Sequence, residues 1–349
     1  MHKHGGDIYN NVNCIDFSAN INFLGMPQEV VEAVHDSVEK CVYYPDVEMT
    51  DLKNALSKRE NCPVNKIICG NGAAELIFAL TAAVKPECAI VFAPSFYEYE
   101  QALKFNNTKI VEIKLDEENN FSLTKEKQES VLAAIDDDTD MIFLCNPNNP
   151  TGVLTEREFI QEILKRCEET DTILVVDECF LDFIEEKNKY SVAGLVLKSN
   201  NLFVLKAFTK IFAMPGLRLG YGLCGNESLM RRIREGIQPW NVSVVAQAAG
   251  CVAAKCTEFE IKTRKLLATE KLYLISELKK LDIKLYGYAA NYIFFKADVK
   301  LGEKLRQKNI VIRDCSNYRS LSNGYYRIAV KNHEDNVKLI NALKMCREE

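Results

Sequence analysis

The chain has no apolar run near the ~20 residues that cross a bilayer, so no helical membrane span and no lipid partner is expected. It also lacks a basic stripe. Its 44 Lys and Arg stand against 49 Asp and Glu, a net charge of −5, which speaks against nucleic acid. No Cys-x-x-Cys pair occurs among 13 cysteines, and the odd count fits a reducing compartment better than a disulfide framework. Most cysteines lie in apolar segments, as Cys69, Cys145 and Cys224 do, where Cys behaves as a small hydrophobe. Four scattered histidines make no zinc pattern, and no metal is expected. The opening Met1-His2-Lys3-His4-Gly5-Gly6-Asp7 has no signal-peptide pattern, so a cytoplasmic location is expected. The turn Gly70-Asn71-Gly72-Ala73-Ala74 fits neither GxGxxG nor GxxxxGK[ST], which disfavours a dinucleotide or nucleoside-triphosphate loop there. There is no internal repeat or low-complexity tract.

What is present is an α/β pattern. From residue 66 to about 245, strand-like runs at 66–69, 89–92, 109–113, 141–144, 173–176, 202–205 and 220–223 alternate with helical stretches. That predicts a large domain with a mostly parallel sheet covered by helices, residues 41–245. Residues 1–40 read as an extended arm to about 25, followed by a helix over 26–40, and a second helix is expected near 49–60. A long helical stretch over 243–280, short strands at 291–296, 310–313 and 325–330, and a closing helix over 333–346 predict a smaller α+β domain, residues 246–349. The charged segment 116–140 reads as a surface excursion around a helix.

Four segments carry chemistry. Lys210 follows the apolar run Leu202-Phe203-Val204-Leu205, and Arg218 stands eight residues later beyond a glycine-containing turn. An amine for a Schiff base and a guanidinium for a phosphate suit a carbonyl cofactor that carries a phosphate. Asp177 ends the run Ile173-Leu174-Val175-Val176, at the strand end where open α/β sheets bind ligands. It suits a protonated pyridine nitrogen; the plainer reading is a helix N-cap. Asn149 lies between prolines in Asn146-Pro147-Asn148-Asn149-Pro150-Thr151-Gly152, where its amide can be held in one direction. Gly70-Asn71-Gly72-Ala73-Ala74 follows a strand and opens a helix, an anion site made of free backbone N–H groups.

These segments, in this order, resemble the fold-type I enzymes that use pyridoxal 5′-phosphate (PLP), the aspartate aminotransferase superfamily, over nearly the whole chain. The resemblance implies PLP as cofactor, a homodimer with shared active sites, and a smaller domain that residues 1–40 help to build. Lys210 takes the place of the Schiff-base lysine and Asp177 that of the pyridinium partner. Asn149 matches the ligand of the ring hydroxyl. Gly72, Ala73 and Ala74 match the phosphate-binding turn, Thr209 can add a hydroxyl, and Arg218 matches the phosphate arginine. Phe96 stands where the family stacks an aromatic ring on the cofactor. Tyr44 matches a tyrosine that reaches the neighbouring subunit's cofactor phosphate, and Arg327 the arginine that grips the substrate α-carboxylate. Two positions depart from the pattern. Phe180 replaces a tyrosine and Ala207 a serine or threonine, each removing a neutral hydrogen bond worth about 0.5–1.5 kcal/mol.

The ends of the chain narrow the resemblance. His4-Gly5-Gly6, then Asp16-Phe17-Ser18-Ala19-Asn20-Ile21-Asn22, and later Ile312-Arg313-Asp314-Cys315-Ser316-Asn317-Tyr318 look like the L-threonine-O-3-phosphate decarboxylases. Those enzymes make aminopropanol phosphate for cobalamin. Histidinol-phosphate aminotransferases are the near alternative, and a non-catalytic relative is a third reading that intact Lys210, Asp177 and Arg218 disfavour. A small phosphorylated amino acid is therefore the expected substrate. Its phosphate would meet Arg313 and His4, with Asn20 and Asn22 from the arm. The plainer readings are a strand-end surface charge for Arg313 and a loose terminal residue for His4.

Overall fold

The computed structural model describes residues 4–348. Residues 1–3, within the opening segment searched above for a signal-peptide pattern, and residue 349 lie outside that range. The strands run β1 (Ile15–Asp16), β2 (Ile67–Asn71), β3 (Cys88–Ala93), β4 (Lys109–Lys114), β5 (Met141–Cys145), β6 (Ile173–Asp177), β7 (Leu202–Ala207), β8 (Leu219–Cys224), β9 (Lys284–Gly287), β10 (Tyr292–Lys296), β11 (Ile310–Val311), β12 (Arg313–Asp314) and β13 (Tyr325–Ala329). The seven runs expected between residues 66 and 223 all form strands of one sheet, ordered β2-β8-β7-β6-β5-β3-β4. Only β8 runs against its neighbours. The β4-β3-β5-β6-β7 ladder is parallel.

Every residue of β3, β5, β6, β7 and β8 is buried, which requires cover on both faces of the sheet. Alternate side chains go to opposite faces. Ile142, Leu144, Leu174, Val176, Leu202 and Val204 join one core, and Met141, Phe143, Val175, Phe203 and Leu205 the other. The second core is closed by helices Gly72–Val84, Tyr97–Phe105 and Glu227–Gly236 through Leu76, Tyr99 and Leu229.

A four-stranded antiparallel sheet, β12-β13-β10-β9, forms the second layer of structure. The arm joins it: β1 pairs in parallel with β11, and the Ala329 N–H donates to the Phe17 carbonyl at 2.8 Å. Three expectations need correction. The strand expected over 310–313 is two strands, because Ile310–Val311 pairs with the arm while Arg313–Asp314 pairs with β13. The helical stretch over 243–280 is two helices, Val244–Ala253 and Thr257–Lys280, broken at a turn with no Gly or Pro to announce it. Strand β9 was not expected at all.

Candidate active site

Parallel strands place their carboxyl ends together, and the next few residues of each meet above them. Asp177 closes β6, Asn149 follows β5, Phe96 follows β3 and Lys210 follows β7. Together with Ala73, Ala74, Thr209 and Arg218, and with His4, Asn20, Arg313 and Arg327 from the arm and smaller sheet, they line one cavity of about 910 Å³, part of it open to solvent. Its lining mixes aromatic and small apolar side chains with a few convergent polar and charged groups, the make-up of a ligand site. Among the described residues no group of three or more His, Cys, Asp or Glu is arranged to hold a metal, and no helix is long and apolar enough to cross a membrane.

Lys210 sits in the short helix Phe208–Ile211, pinned from the arm by the Asn22 backbone N–H, which donates to the Lys210 carbonyl at 3.2 Å. Burial, reinforced by the charges of Arg327 and Arg218, lowers the Lys210 ammonium to a pKa of about 8. An amine so placed is neutral, and nucleophilic, far nearer pH 7 than an ordinary lysine. Asp177 is buried and keeps both oxygens engaged. The Tyr99 hydroxyl donates to Oδ2 at 2.6 Å and the Cys179 N–H to Oδ1 at 2.9 Å. The second bond closes a turn two residues on and is not the helix N-cap considered for it, since the next helical turn, Leu181–Phe183, begins after Phe180.

Asn149 has its direction fixed. Arg327 donates through Nη1 to its side-chain oxygen, leaving the Asn149 amide N–H groups for the cavity. The other terminal nitrogen of Arg327 donates to the Ser18 carbonyl at 3.0 Å, and its Nε is buried without a partner. Asn20 is 3% exposed and both its side-chain polar atoms lack partners. A buried amide left unpaired is costly, so a polar ligand is expected there.

At the other end of the cavity, Ala73 and Ala74 open the helix Gly72–Val84, whose first N–H groups have no intrahelical partner. Gly220 makes room for this helix start, since a Cβ there would lie 2.2 Å from the Ala73 nitrogen. Gly72 adopts φ +77° and does not itself line the cavity; it lies against the Arg218 guanidinium, within 2.4 Å of a Cβ built on it. Backbone donors, the helix dipole and a guanidinium thus converge as an anion cradle.

Arg313 is 5% exposed, which corrects the surface-charge reading. It donates from Nη2 to Asn317 at 2.9 Å. His4 lies on the cavity rim, 3.4 Å from the Glu98 carboxylate. Gly5 lets the arm pass so close over Ser18 that a Cβ would meet the Ser18 carbonyl at 2.2 Å. The Gly6 N–H then donates to the Ser18 hydroxyl at 2.8 Å.

Two expected residues stand apart. Asn22 is spent on structure: its amide donates to the Ile211 carbonyl and the Thr263 hydroxyl at 2.7 and 2.9 Å. Tyr44 lies outside the cavity, 77% exposed and stacked on Trp240 at 4.4 Å. Phe180 and Ala207 line the cavity with no polar group; the Phe180 ring packs edge-on against Tyr292. Tyr99, Glu98, Tyr318, Cys145 and Cys179 were not anticipated. A tyrosine 78 residues before Asp177 gives no local sign of that contact.

The chain matches the family described as aminotransferase class I and II over residues 12–343. A provisionally assigned threonine-phosphate decarboxylase of Caldanaerobacter subterraneus is 40% identical over 100% of this chain and 95% of its own length. A threonine-phosphate decarboxylase of Salmonella typhimurium is 37% identical over 95% of this chain and 90% of its own. In structure, a histidinol-phosphate aminotransferase from Clostridium acetobutylicum superposes with a TM-score of 0.88 at 30% identity, covering 95% of this chain and 98% of that one.

Proposed function

The chain belongs to the aminotransferase class I and II family, and on that premise we propose that it is a PLP-dependent decarboxylase that converts L-threonine O-3-phosphate to aminopropanol phosphate, a cobalamin precursor. The observation that carries the reading is a pair of buried arginines, Arg313 and Arg327, at one cavity with Lys210. They suit a substrate with two anionic ends, a carboxylate and a phosphate.

The residues present fit the cofactor. The cradle of Ala73, Ala74, Thr209 and Arg218 would take its phosphate, Asp177 its ring nitrogen, Asn149 its ring hydroxyl and Phe96 one ring face. Tyr44 of a second copy would reach the same phosphate. Its exposure beside Val42, Tyr43 and Trp240 supports a homodimer with shared sites. When bound, PLP supplies an electron sink for the pair left as the carboxylate departs.

The protein's own part is to bind, orient and move a proton. Arg327 holds the α-carboxylate, and its bond to Asn149 ties the substrate grip to the cofactor grip. Arg313, His4 and Asn20 hold the substrate phosphate. Lys210, its ammonium lowered to a pKa of about 8, would hold the cofactor; freed by the substrate's amine, it would take that amine's proton and deliver it to Cα in place of the departed CO₂. Tyr99 and the Cys179 N–H keep Asp177 oriented as a hydrogen-bond acceptor. Transamination of histidinol phosphate is the second reading, favoured by the structural likeness to an aminotransferase. Incubating the holoenzyme with either substrate and measuring CO₂ against keto acid separates the two.

A further inference from the structure

Glu98 has no part in the account so far and does not itself line the cavity, yet it stands directly against His4, which does. It opens the helix Tyr97–Phe105, and its side chain is 14% exposed. Oε1 lies 3.4 Å from His4 Nε2, while Oε2 is buried with no hydrogen-bond partner. Its charged surroundings come from several elements: Lys210 after β7, Asp177 at the end of β6, and Arg313 on β12, with the Tyr318 hydroxyl also in its field. On the other side, His4 is held below its ordinary range by burial and by Arg313, Lys210 and Arg327. An imidazole among three cations has little reason to be charged, or to face them, unless an anion steadies it. Glu98 is the carboxylate within reach.

Resting on the reading of Arg313 and His4 as the substrate-phosphate end, we infer that Glu98 is the positioning residue for His4, holding the arm's imidazole across the cavity mouth and sharing with it one proton that phosphate binding retains. Burial pushes the Glu98 carboxyl up to a pKa of about 7, so near neutrality the pair carries that single proton. A phosphate entering beside His4 favours the arrangement carboxylate, imidazolium, phosphate, and holds the proton to higher pH. Affinity for a phosphorylated ligand is then lost as pH rises above about 7. The ligand's own second phosphate ionisation, near pKa 6, lies below that window.

The test is binding of aminopropanol phosphate and of unphosphorylated aminopropanol to the holoenzyme, neither of which can lose CO₂. Wild type should prefer the phosphorylated amine. Glu98→Ala and His4→Ala should each cut that preference about tenfold, and the double variant should lose no more than His4→Ala alone. Glu98→Gln keeps the shape without the titration, so its loss of affinity should move below pH 6.5, where His4 alone holds the proton. Additive losses in the double variant, equal losses for both amines, or a Glu98→Gln profile matching wild type would overturn the inference while leaving the phosphate site intact. Absence of any phosphate preference in wild type would overturn the reading beneath it.

Discussion

Arg313 and Arg327 stand directly opposite each other across β12 and β13, both buried and both lining the same cavity. Like charges in facing positions destabilise a sheet. The arrangement makes sense if two anions of a ligand separate the guanidinium groups, one for each. The two variants should therefore fail differently. Losing a charged hydrogen bond in a buried site costs about 1.5–3 kcal/mol, ten- to a hundredfold. Arg313→Ala should weaken threonine phosphate far more than threonine. Arg327→Ala should weaken threonine phosphate far more than aminopropanol phosphate, which has no carboxylate. Binding titrations of the three ligands check both; a uniform loss would contradict the assignment.

Lys210 gives a pH dependence. Its pKa of about 8 in the folded protein lies below the ordinary lysine value near 10.4. Between those values the unfolded chain binds the proton and the folded one does not, so this group makes stability rise with pH across that window. Covalent uptake of PLP by the apoprotein needs the neutral amine. Its rate should rise with pH to about 8 and then level, as read from absorbance changes. A rate still climbing tenfold per unit above pH 9 would show an unperturbed lysine.

Gly5→Ala tests whether the arm is part of the site. The new Cβ collides with the Ser18 carbonyl, the same oxygen that Arg327 Nη2 reaches. Overpacking costs about 1–3 kcal/mol, so KM for the phosphorylated substrate should rise about tenfold or more. The melting temperature should barely move, since a terminal arm opens without global unfolding. A large melting shift with unchanged KM would make the arm purely structural.

Shared sites predict complementation. Lys210→Ala and Tyr44→Phe subunits, each impaired alone, should regain activity on mixing, because one hybrid site carries neither change. Sedimentation should show a dimer. A fully active monomer would contradict the role given to Tyr44.

Much of this was legible because the signals were local. Buried strands read as continuous apolar runs, and Asp177, Asn149 and Lys210 each stand just past one. Strand order and the reversal of β8 leave no mark in a run of apolar residues. The split at Ile312 depends on the arm pairing with Ile310–Val311, nearly three hundred residues from β1 in the chain. Tyr99 and Glu98 were missed for the same reason: one turn of helix brings them to Asp177 and His4 only after folding. Asn22 looked like its neighbour Asn20 in sequence, but one faces the cavity and the other is consumed by Ile211 and Thr263.

The central claim is the bond that breaks. Holoenzyme mixed with L-threonine O-3-phosphate, with no amino acceptor present, should release one CO₂ per aminopropanol phosphate formed over many turnovers and keep its cofactor in the PLP form. Stoichiometric conversion to the pyridoxamine form with histidinol phosphate or glutamate, and no CO₂ from threonine phosphate, would contradict the account and make the protein an aminotransferase.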